Sequence, residues 1–428
     1  MLVVVQVGQC GNQVGASFWR CVGDQLNAAG QSGAAESLWS LVQPAREGRA
    51  PRARCVLVDS EPKAARGVAQ GESLLAAAPL VSAQAGRGGN WAAGYALPGE
   101  SAGETERSLL ARALQAVRRE TERCPSTPDL LLLLGTAGGT CGGLGCRLLE
   151  ALRSEHGQTF IGVCAVGLGE SALLAPLGDV LCVQFLQAYA DLVLLFQSEE
   201  LLGRLERAAR CGGAPTPRVT LSDVNAALGR RLAAALLPLD AGAPPLRDMV
   251  TSVCPWPALK FADLRSAAAA HSSFETDAAA WSTLASALAA EAPRRDLSSG
   301  APFSASASLL TLRGPGAALP VAAASAAAAL TRAAWPVVRW GDDAPEVRVS
   351  SRAALCLGAP RSGALISNRS SCLPPLRRAA EGAGALLECG AYLHWFSRHG
   401  VCRQALEDGL EATRTVIDAY EEAHAQSC

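Results

Sequence analysis

Short apolar segments alternate with amphipathic ones along the first half of the chain. Leu2–Val7 (LVVVQV) is almost wholly apolar, and comparable runs occur at Ala53–Asp59, Asp129–Leu134, Phe160–Val166 and Asp191–Phe196. An apolar run of this length, bounded by turn residues, is typical of a strand that is buried on both faces. The segments between these runs have helical spacing. The pattern therefore predicts an α/β fold with a Rossmann-like parallel sheet covered by helices on both faces.

The helical pattern is clearest in segments with apolar residues on one face and charges on the other. These segments are Gly103–Cys124, Leu144–Ser154, Glu199–Ala209, Ser222–Leu237 and Cys402–Ala423. Ser222 or Asp223 is placed to act as the N-cap of the fourth segment, because both side chains can accept a hydrogen bond from a free backbone N–H.

The second half of the chain has a different character. After the Pro/Gly loop Asp240–Pro245 the sequence turns Ala- and Ser-rich and its periodicity weakens, so a second domain is expected to begin there. The alanine-rich stretch 316–331 contains Pro320 and is only weakly apolar. It is therefore expected to be a surface segment or linker and not a membrane span.

Charge and cysteine usage narrow the function classes. The chain has 38 basic and 39 acidic residues, a balance that gives no argument for a nucleic-acid or membrane partner. Its 15 cysteines include no CxxC pair and no cluster with zinc spacing. Without a basic stretch that would mark a secretory signal, these cysteines suggest the reducing cytoplasm.

Polar and glycine-rich loops follow the predicted strands. The stretch 135–145 (GTAGGTCGGLG) contains six glycines and follows a predicted strand. Three further polar or glycine-rich loops are Gly8–Gln13, Asp59–Glu61 and Gly86–Ala92. Glycine turns at helix starts can bring backbone N–H groups close to phosphates. The two carboxylates of Asp59–Glu61 suit the coordination of Mg²⁺. No loop has the P-loop lysine or a full GxGxxG. Each loop alone could be a tight connection, but together they favour a phosphate site.

The order of these segments resembles the tubulin superfamily. The motifs are MLVVVQVGQCGNQVG, VLVDSEPK, GGNWAAGY and AGGTCGGLG, followed by SDVN, CPWPALKF, AYLHWF and DAYEEA, and the resemblance is thinnest at 267–343. Within this superfamily, the motifs AGGT and SDVN, and a sequence that ends soon after EEA, resemble the delta-tubulins. The zeta-tubulins are the alternative. The resemblance implies the tubulin fold: a nucleotide-binding domain at 1–198, a core helix with an α+β intermediate domain at 199–368, and a C-terminal helical hairpin at 369–428.

The same resemblance implies GTP or GDP with Mg²⁺ as cofactors. It assigns nucleotide contacts to Gln9, Cys10, Gly11, Asn12, Gln13, Gly88, Gly89, Asn90, Gly138, Gly139, Thr140, Cys141, Gly142 and Gly143. Asp59 and Glu61 match the contacts to Mg²⁺ and the γ-phosphate. Asn225 matches the residue that recognises guanine, since an amide can both donate to and accept from a base edge. Trp91 is expected to be a packing anchor.

Several residues depart from the family pattern. Cys141 stands at a usual glycine, where a positive φ would strain its Cβ by about 1 kcal/mol. Ala175 replaces the usual ribose-contacting acid and leaves Glu170 as a substitute. Ser198 replaces a second base-contacting asparagine, and Leu221 replaces the aromatic residue that stacks on the base. Each lost contact is worth about 1 kcal/mol, so we expect weaker or less guanine-selective binding.

Hydrolysis in this family requires a neighbouring subunit. By this resemblance, Asp248 occupies the position of the acidic residue that orients the attacking water in the nucleotide site of the next subunit. The aspartate side chain is one methylene shorter than that of glutamate. Ala243 and Pro245 replace the usual asparagine and first aspartate of this loop. Because water positioning depends steeply on distance, hydrolysis is expected to be slow. The alternative is that Asp248 only begins the following helix.

The resemblance to the delta type implies a cytoskeletal protein of the cytoplasm, at centrioles and basal bodies. It also implies a role in triplet microtubules and cilium formation, with partners among other tubulins: epsilon-tubulin, alpha/beta-tubulin and microtubules. Two alternatives remain open at this point. One is a structural subunit that binds nucleotide without hydrolysing it, and the other is an unrelated Rossmann oxidoreductase that binds NAD(P).

Overall fold

The computed structural model describes residues 1–32, 35–45, 50–96, 108–170, 174–211, 218–240, 245–269, 277–317, 320–332, 337–338 and 345–425. The start of the predicted helix Gly103–Cys124 and the position of Ala243 lie outside these residues.

One long sheet organises the described part of the chain. Its ten strands lie in the order β11-β10-β12-β9-β8-β7-β6-β1-β4-β5, and β2 and β3 form a separate small ribbon. The strands are β1 Leu2–Val7, β2 Val42–Gln43, β3 Arg52–Ala53, β4 Cys55–Asp59, β5 Leu80–Ser82, β6 Asp129–Gly135, β7 Ile161–Val166, β8 Leu192–Phe196, β9 Phe261–Ala269, β10 Ala305–Arg313, β11 Glu346–Ser350 and β12 Arg361–Arg369.

Helices cover both faces of this sheet. They are α1 Gly8–Ser32, α2 Pro62–Gly71, α3 Trp91–Tyr95, α4 Leu109–Glu122, α5 Gly145–Glu155, α6 Ala175–Tyr189, α7 Ser198–Cys211, α8 Leu221–Leu236, α9 Pro245–Val253, α10 Asp277–Glu291, α11 Pro320–Arg332, α12 Leu373–Glu388, α13 Leu393–Ser397 and α14 Arg403–Ala425. A π-helix, Gly138–Leu144, leads directly into α5. Short 3₁₀ turns occur at Ala35–Ser40, Leu355–Leu357 and Ser370–Cys372.

The alternation of side chains along β1 explains why its whole run is apolar. β1 lies between β4 and β6 and pairs with both in parallel. Val3, Val5 and Val7 pack into the core beneath α4, α5, α6, α12 and α14, whereas Leu2 and Val4 pack into the core beneath α1 and α8. Both faces of the strand are therefore covered, as the sequence predicts.

The sheet changes direction after β9. β8 and β9 are parallel, but β12 runs antiparallel to both β9 and β10. The parallel nucleotide-domain strands and the mixed second part thus share one sheet. α12 and α14 form the predicted C-terminal helical pair on α6. The expected fold class, an α/β tubulin fold with a mainly parallel sheet, is confirmed.

Two predicted boundaries were wrong. The run Ala53–Asp59 is not one strand, because Ala53 pairs with Val42 of β2 while β4 begins at Cys55. Arg54 separates the two strands, with its backbone N–H bound to the Leu41 carbonyl at 2.9 Å. The N-cap of α8 is Thr220, and Asp223 lies at the third helical position. There Asp223 Oδ2 accepts from Thr220 N at 2.8 Å, which is the reciprocal half of a capping box.

The alanine-rich stretch is not a surface linker. Residues 320–332 form α11, and Ala322, Ala326 and Ala329 are buried in a cluster with Trp281 of α10. Small side chains allow two helices to approach closely, so the stretch contributes to a third core. None of the described helices combines the length and apolarity needed to cross a membrane.

Candidate functional site

Four loops meet at the carboxyl edge of the central strands. The loop after β4 contacts the π-helix after β6, since Ser60 Oγ and Thr140 Oγ1 are 2.5 Å apart. The loop before α3 also reaches the π-helix, because Gly139 N donates to the Gly88 carbonyl at 2.9 Å. The sequence-predicted glycine and acidic loops are therefore brought together, as expected for the ends of parallel strands.

Three of the six glycines of 135–145, Gly139, Gly142 and Gly143, closely approach protein backbone. A Cβ on Gly139 would lie 2.6 Å from the Arg87 carbonyl oxygen, and one on Gly143 would lie 2.8 Å from Tyr95 N and closer still to the Trp91 carbonyl oxygen. Such distances are essentially never seen for real Cβ atoms. These glycines let the π-helix lie directly on α3, where Trp91 is buried and stacks on Tyr95 at 4.8 Å. The expected packing role of Trp91 is confirmed.

Other glycines face open space. Gly88 and Gly89 are exposed, and a Cβ on either would meet nothing within 4 Å. Gly8, Gly88 and Gly138 have φ values of 68°, 56° and 89°, in the left-handed region that favours glycine. Gly88 is exposed and Gly138 is partly exposed where the π-helix begins, whereas Gly8 is buried against Cys141 at the start of α1. Helix starts present unpaired N–H groups and suit an anion.

Cys141 lies between these two helix starts. Tyr392 is the sole non-glycine residue with a positive φ in the described ranges, so the strain considered for Cys141 from the sequence does not occur. Burial raises the pKa of its thiol, although the backbone N–H groups of Cys10 and Gly11 act in the opposite direction. Burial also raises the pKa of Cys10. Both thiols are therefore protonated near neutral pH and are poor nucleophiles.

A buried amide and two carboxyl groups stand beside the glycine loops. Asn12 Nδ2 donates to Asp59 Oδ2 at 3.4 Å, and Asp59 Oδ1 accepts from Glu61 N at 3.1 Å. Asn12 is 1% exposed, and its Oδ1 has no hydrogen-bond partner. Burial raises the pKa of Asp59, and a nearby cation would stabilise its charged form.

These residues fit a magnesium ion held together with phosphates. No group of three or more His, Cys, Asp or Glu side chains in the described ranges could hold a metal unaided. Mg²⁺ commonly takes one or two carboxylates and completes its shell with water and substrate phosphates. Asp59 and Glu61 could supply that number, directly or through water.

The predicted base-recognising residues lie on α8 and at the start of α7. Asn225 Nδ2 donates to Gln13 Oε1 at 2.9 Å, which joins α8 to α1. Leu221 is 69% exposed one turn earlier on α8 and offers an apolar face in place of an aromatic ring. Glu170 Oε1 accepts from the backbone N–H groups of Ser198 and Glu199, so Glu170 caps the start of α7.

Two predicted contacts are already engaged in structural hydrogen bonds. Asn90 Oδ1 accepts from Ala92 N at 3.0 Å as the N-cap of α3, and its Nδ2 donates to the Trp395 carbonyl at 2.7 Å. The side chain of Glu170 is likewise used at α7. Asn90 can therefore position its loop, but binding a phosphate would require it to exchange partners.

Sequence reasoning missed Ser60 and Asp179. Asp179 is fully buried, and its Oδ2 accepts from Gly169 N at 2.9 Å, which anchors the loop that carries Glu170. A single acid inside the apolar run PLGDVLCVQFL was the available signal for Asp179. Nothing in the sequence pairs Ser60 with Thr140, because these residues are 80 positions apart.

Replacing Asp179 with asparagine should flatten the pH dependence of stability. Burial raises the pKa of Asp179 from 3.8 to about 7, so the folded chain holds an extra proton between these values. The contribution of Asp179 to the free energy of unfolding is therefore most favourable at pH 4 and below, and it falls as the pH rises from about 4 to 7. We expect Asp179→Asn to match wild type at pH 4 and to exceed it at pH 8 by on the order of 3 kcal/mol.

Urea unfolding at both pH values measures this difference. Asp408→Asn is the matched control, because Asp408 is an exposed carboxylate of α14. Equal pH profiles for Asp179→Asn and wild type would show that Asp179 is not protonated in the folded chain.

Asp248 lies far from the glycine loops of its own chain. Arg247, the preceding residue, reaches Asp129 Oδ1 at 3.4 Å, and Asp129 begins β6, whereas the π-helix follows the other end of that strand. A seven-residue strand spans about 20 Å. Asp248 Oδ2 is paired with Arg348 Nη1 at 2.6 Å. Within one chain, Asp248 therefore cannot act on a ligand in the glycine loops.

Glycine-built helix starts, carboxylates and an amide pair at one edge of a parallel sheet are features of α/β domains that bind nucleoside phosphates. Residues 1–206 match the family model described as Tubulin/FtsZ family, GTPase domain. This part of the chain is therefore similar to the GTPase domain of that family.

Individual relatives agree with this family. The chain is 28% identical to the human tubulin beta-1 chain over 211 residues, which cover 47% of this chain and 45% of the relative. It is 29% identical to the mouse tubulin epsilon chain over 217 residues, covering 46% and 44%. It is 25% identical to the human tubulin delta chain over 290 residues, covering 62% and 60%. The chain thus spans about half the length of the curated relatives it matches.

Proposed function

We propose that the chain is a guanine-nucleotide-binding cytoskeletal subunit of the tubulin type, with Mg²⁺ held beside the phosphates. The observation that carries the proposal is the meeting of four loops at one sheet edge, through the Asn12–Asp59, Ser60–Thr140 and Gly88–Gly139 contacts. Parallel strands bring such loops to one edge, but they do not require them to be rich in glycine and acidic residues. A shared ligand gives a common reason for their composition and position.

Within this class we propose the delta type, acting at centrioles and basal bodies in the assembly or maintenance of triplet microtubules and in cilium formation. The longer match to the human tubulin delta chain, 290 residues against 211 and 217, supports this type over the beta-1 and epsilon relatives. The proposed partners are other tubulins, including epsilon and alpha/beta chains. A tagged chain distributed along all microtubules, with no enrichment at centrioles, would contradict the delta type; the zeta type is the alternative.

The placement of Asp248 supports head-to-tail contact between subunits. The helix α9 lies at the opposite end of β6 from the glycine loops. In a longitudinal stack of copies or relatives, α9 of one subunit would face the nucleotide of the next. Such a heterologous contact builds open filaments.

The nucleotide assignment is tested by releasing bound ligand from natively purified protein and identifying it by chromatography. We expect GTP or GDP at close to one molecule per chain. Asn225→Ala should lower this occupancy, because it removes the amide proposed to recognise guanine. Gln25→Ala is the control: Gln25 is also an amide on a helix near the core, but it binds Ala353 O and Leu355 N elsewhere. NAD(P), or no guanine nucleotide, would overturn the proposal.

A second candidate is a structural subunit that holds nucleotide without hydrolysing it. The ion pair between Asp248 and Arg348 favours this candidate, because the carboxylate must leave a 2.6 Å partner before it can orient water. Single-turnover hydrolysis by assembled protein separates the two candidates.

A further inference from the structure

A large cavity borders α7 and the loop that contains Gly169. It has a volume of about 1140 Å³ and is bordered by α7, α8, β9, the segment 293–303 and the start of α12. None of the residues proposed to contact nucleotide lines it. Small-molecule sites typically occupy roughly 300–1,000 Å³, so the cavity can hold a ligand of ordinary metabolite size.

Positive charge dominates the lining of this cavity. Nine arginines and five carboxylates line it, and two further carboxylates, Glu291 and Glu421, pair with arginines of the lining, which leaves a formal excess of two positive charges. The side chains of Arg207 and Arg294 have no hydrogen bond or ion pair to any described residue. Arg378 donates only to neutral oxygens, those of Gly169 and Gln197, at 3.1 and 2.9 Å. These exposed guanidinium groups form a rim with free donors.

The deeper arginines are crowded together. Arg204, Arg231 and Arg265 share the carboxylates of Glu200, Glu291 and Asp263, at N–O distances from 2.7 to 3.9 Å. Arg265 is 6% exposed, and its Nε has no hydrogen-bond partner. Burial and the neighbouring Arg265 lower the pKa of Arg231 to about 10. A bound anion would relieve this crowding of like charges.

The floor between these charges is apolar. Leu201, Phe196, Leu228 and Leu264 line the cavity, and each is almost fully buried. A ligand that fits this site therefore needs an organic body as well as anionic groups. A phosphate monoester carries about −1.5 to −2 charges at pH 7, so one such group suits the free guanidinium donors of the rim and a second suits the deeper arginine cluster.

We propose that this arginine cavity binds a small organic molecule bearing two phosphate groups. Arginine suits this ligand because its planar fork donates two hydrogen bonds to one phosphate. The rim residues Arg207 and Arg294 bind one phosphate group, Arg231 and Arg265 attract the other, and the apolar floor receives the carbon skeleton.

Calorimetric titration of the full chain with fructose 1,6-bisphosphate tests this proposal, in the absence and in the presence of saturating GTP. We expect one molecule bound per chain under both conditions, with affinity at least tenfold higher than for glucose 6-phosphate or inorganic pyrophosphate. The double variant Arg207→Gln/Arg294→Gln should lose at least tenfold in affinity. Both residues are exposed, so this variant should fold normally, which circular dichroism checks.

Arg210→Gln is the matched control. Arg210 lies on the same helix as Arg207 but outside the cavity, and within the described ranges it forms an ion pair only with Glu206, at 3.3 Å. This variant should bind like wild type. Displacement by GTP, unchanged binding in the double variant, or equal affinity for pyrophosphate would each overturn the proposal. The test does not depend on the proposed GTP site, since the rim variants leave that site intact.

Discussion

Replacing Gly143 with alanine is expected to lower the free energy of unfolding by about 3 kcal/mol and to abolish nucleotide binding. A Cβ at this position would lie 2.8 Å from Tyr95 N and closer to the Trp91 carbonyl oxygen. Both neighbours are backbone atoms of α3, which cannot move aside cheaply. Trp91 is held by stacking on Tyr95 and by a 3.2 Å contact from Nε1 to Cys182 Sγ. The π-helix would have to move away from α3 and carry Gly138 and Thr140 with it.

The variant Gly89→Ala is expected to change nucleotide affinity without changing the packing of the folded chain. A Cβ there meets nothing within 4 Å, and Gly89 does not have a positive φ. We expect its stability to stay within about 0.5 kcal/mol of wild type, while its nucleotide affinity falls because the added methyl group faces the proposed phosphates. Urea unfolding and titration with a fluorescent guanine nucleotide measure the two effects. A Gly143→Ala protein as stable as wild type would show that the close approach to α3 is not required.

This contrast shows what the glycine pattern could and could not predict. The six glycines of 135–145 correctly indicate that backbone approaches something closely at the end of β6. Sequence alone cannot say that Gly139 and Gly143 approach protein while Gly88 and Gly89 face open space. That distinction depends on α3, which is more than 40 residues away along the chain.

The strands were predictable for a simpler reason. A strand buried on both faces needs an uninterrupted apolar run, and β1 has one. A boundary failed where one residue separates two strands with different partners, as Arg54 does between β3 and β4. The ion-pair partner of Asp248 could not be predicted from the sequence either. Arg348 lies 100 positions further along the chain, just after the segment 267–343 in which the resemblance to tubulins is thinnest.

Asp248→Ala is expected to slow single-turnover GTP hydrolysis by assembled protein about a hundredfold, if Asp248 serves the neighbouring subunit as proposed. The same variant should bind nucleotide normally when unassembled, because Asp248 lies at the opposite end of β6 from the glycine loops. Rapid quench of assembled protein loaded with labelled GTP measures the rate. An unchanged rate would show that Asp248 only forms part of α9. It would favour a structural subunit that binds nucleotide without hydrolysing it.

Arg348→Gln and Asp248→Glu test how the carboxylate is used. Arg348 Nη1 lies 2.6 Å from Asp248 Oδ2, and the pair is only partly exposed. Removing the guanidinium frees the carboxylate to turn towards a neighbouring subunit, so we expect Arg348→Gln to hydrolyse GTP at least as fast as wild type. Asp248→Glu should be faster than wild type, since the longer side chain restores reach to the attacking water and this step depends steeply on distance. If both variants lost hydrolysis together with Asp248→Ala, the ion pair itself would be the required feature, acting by holding α9 in place and not by orienting water.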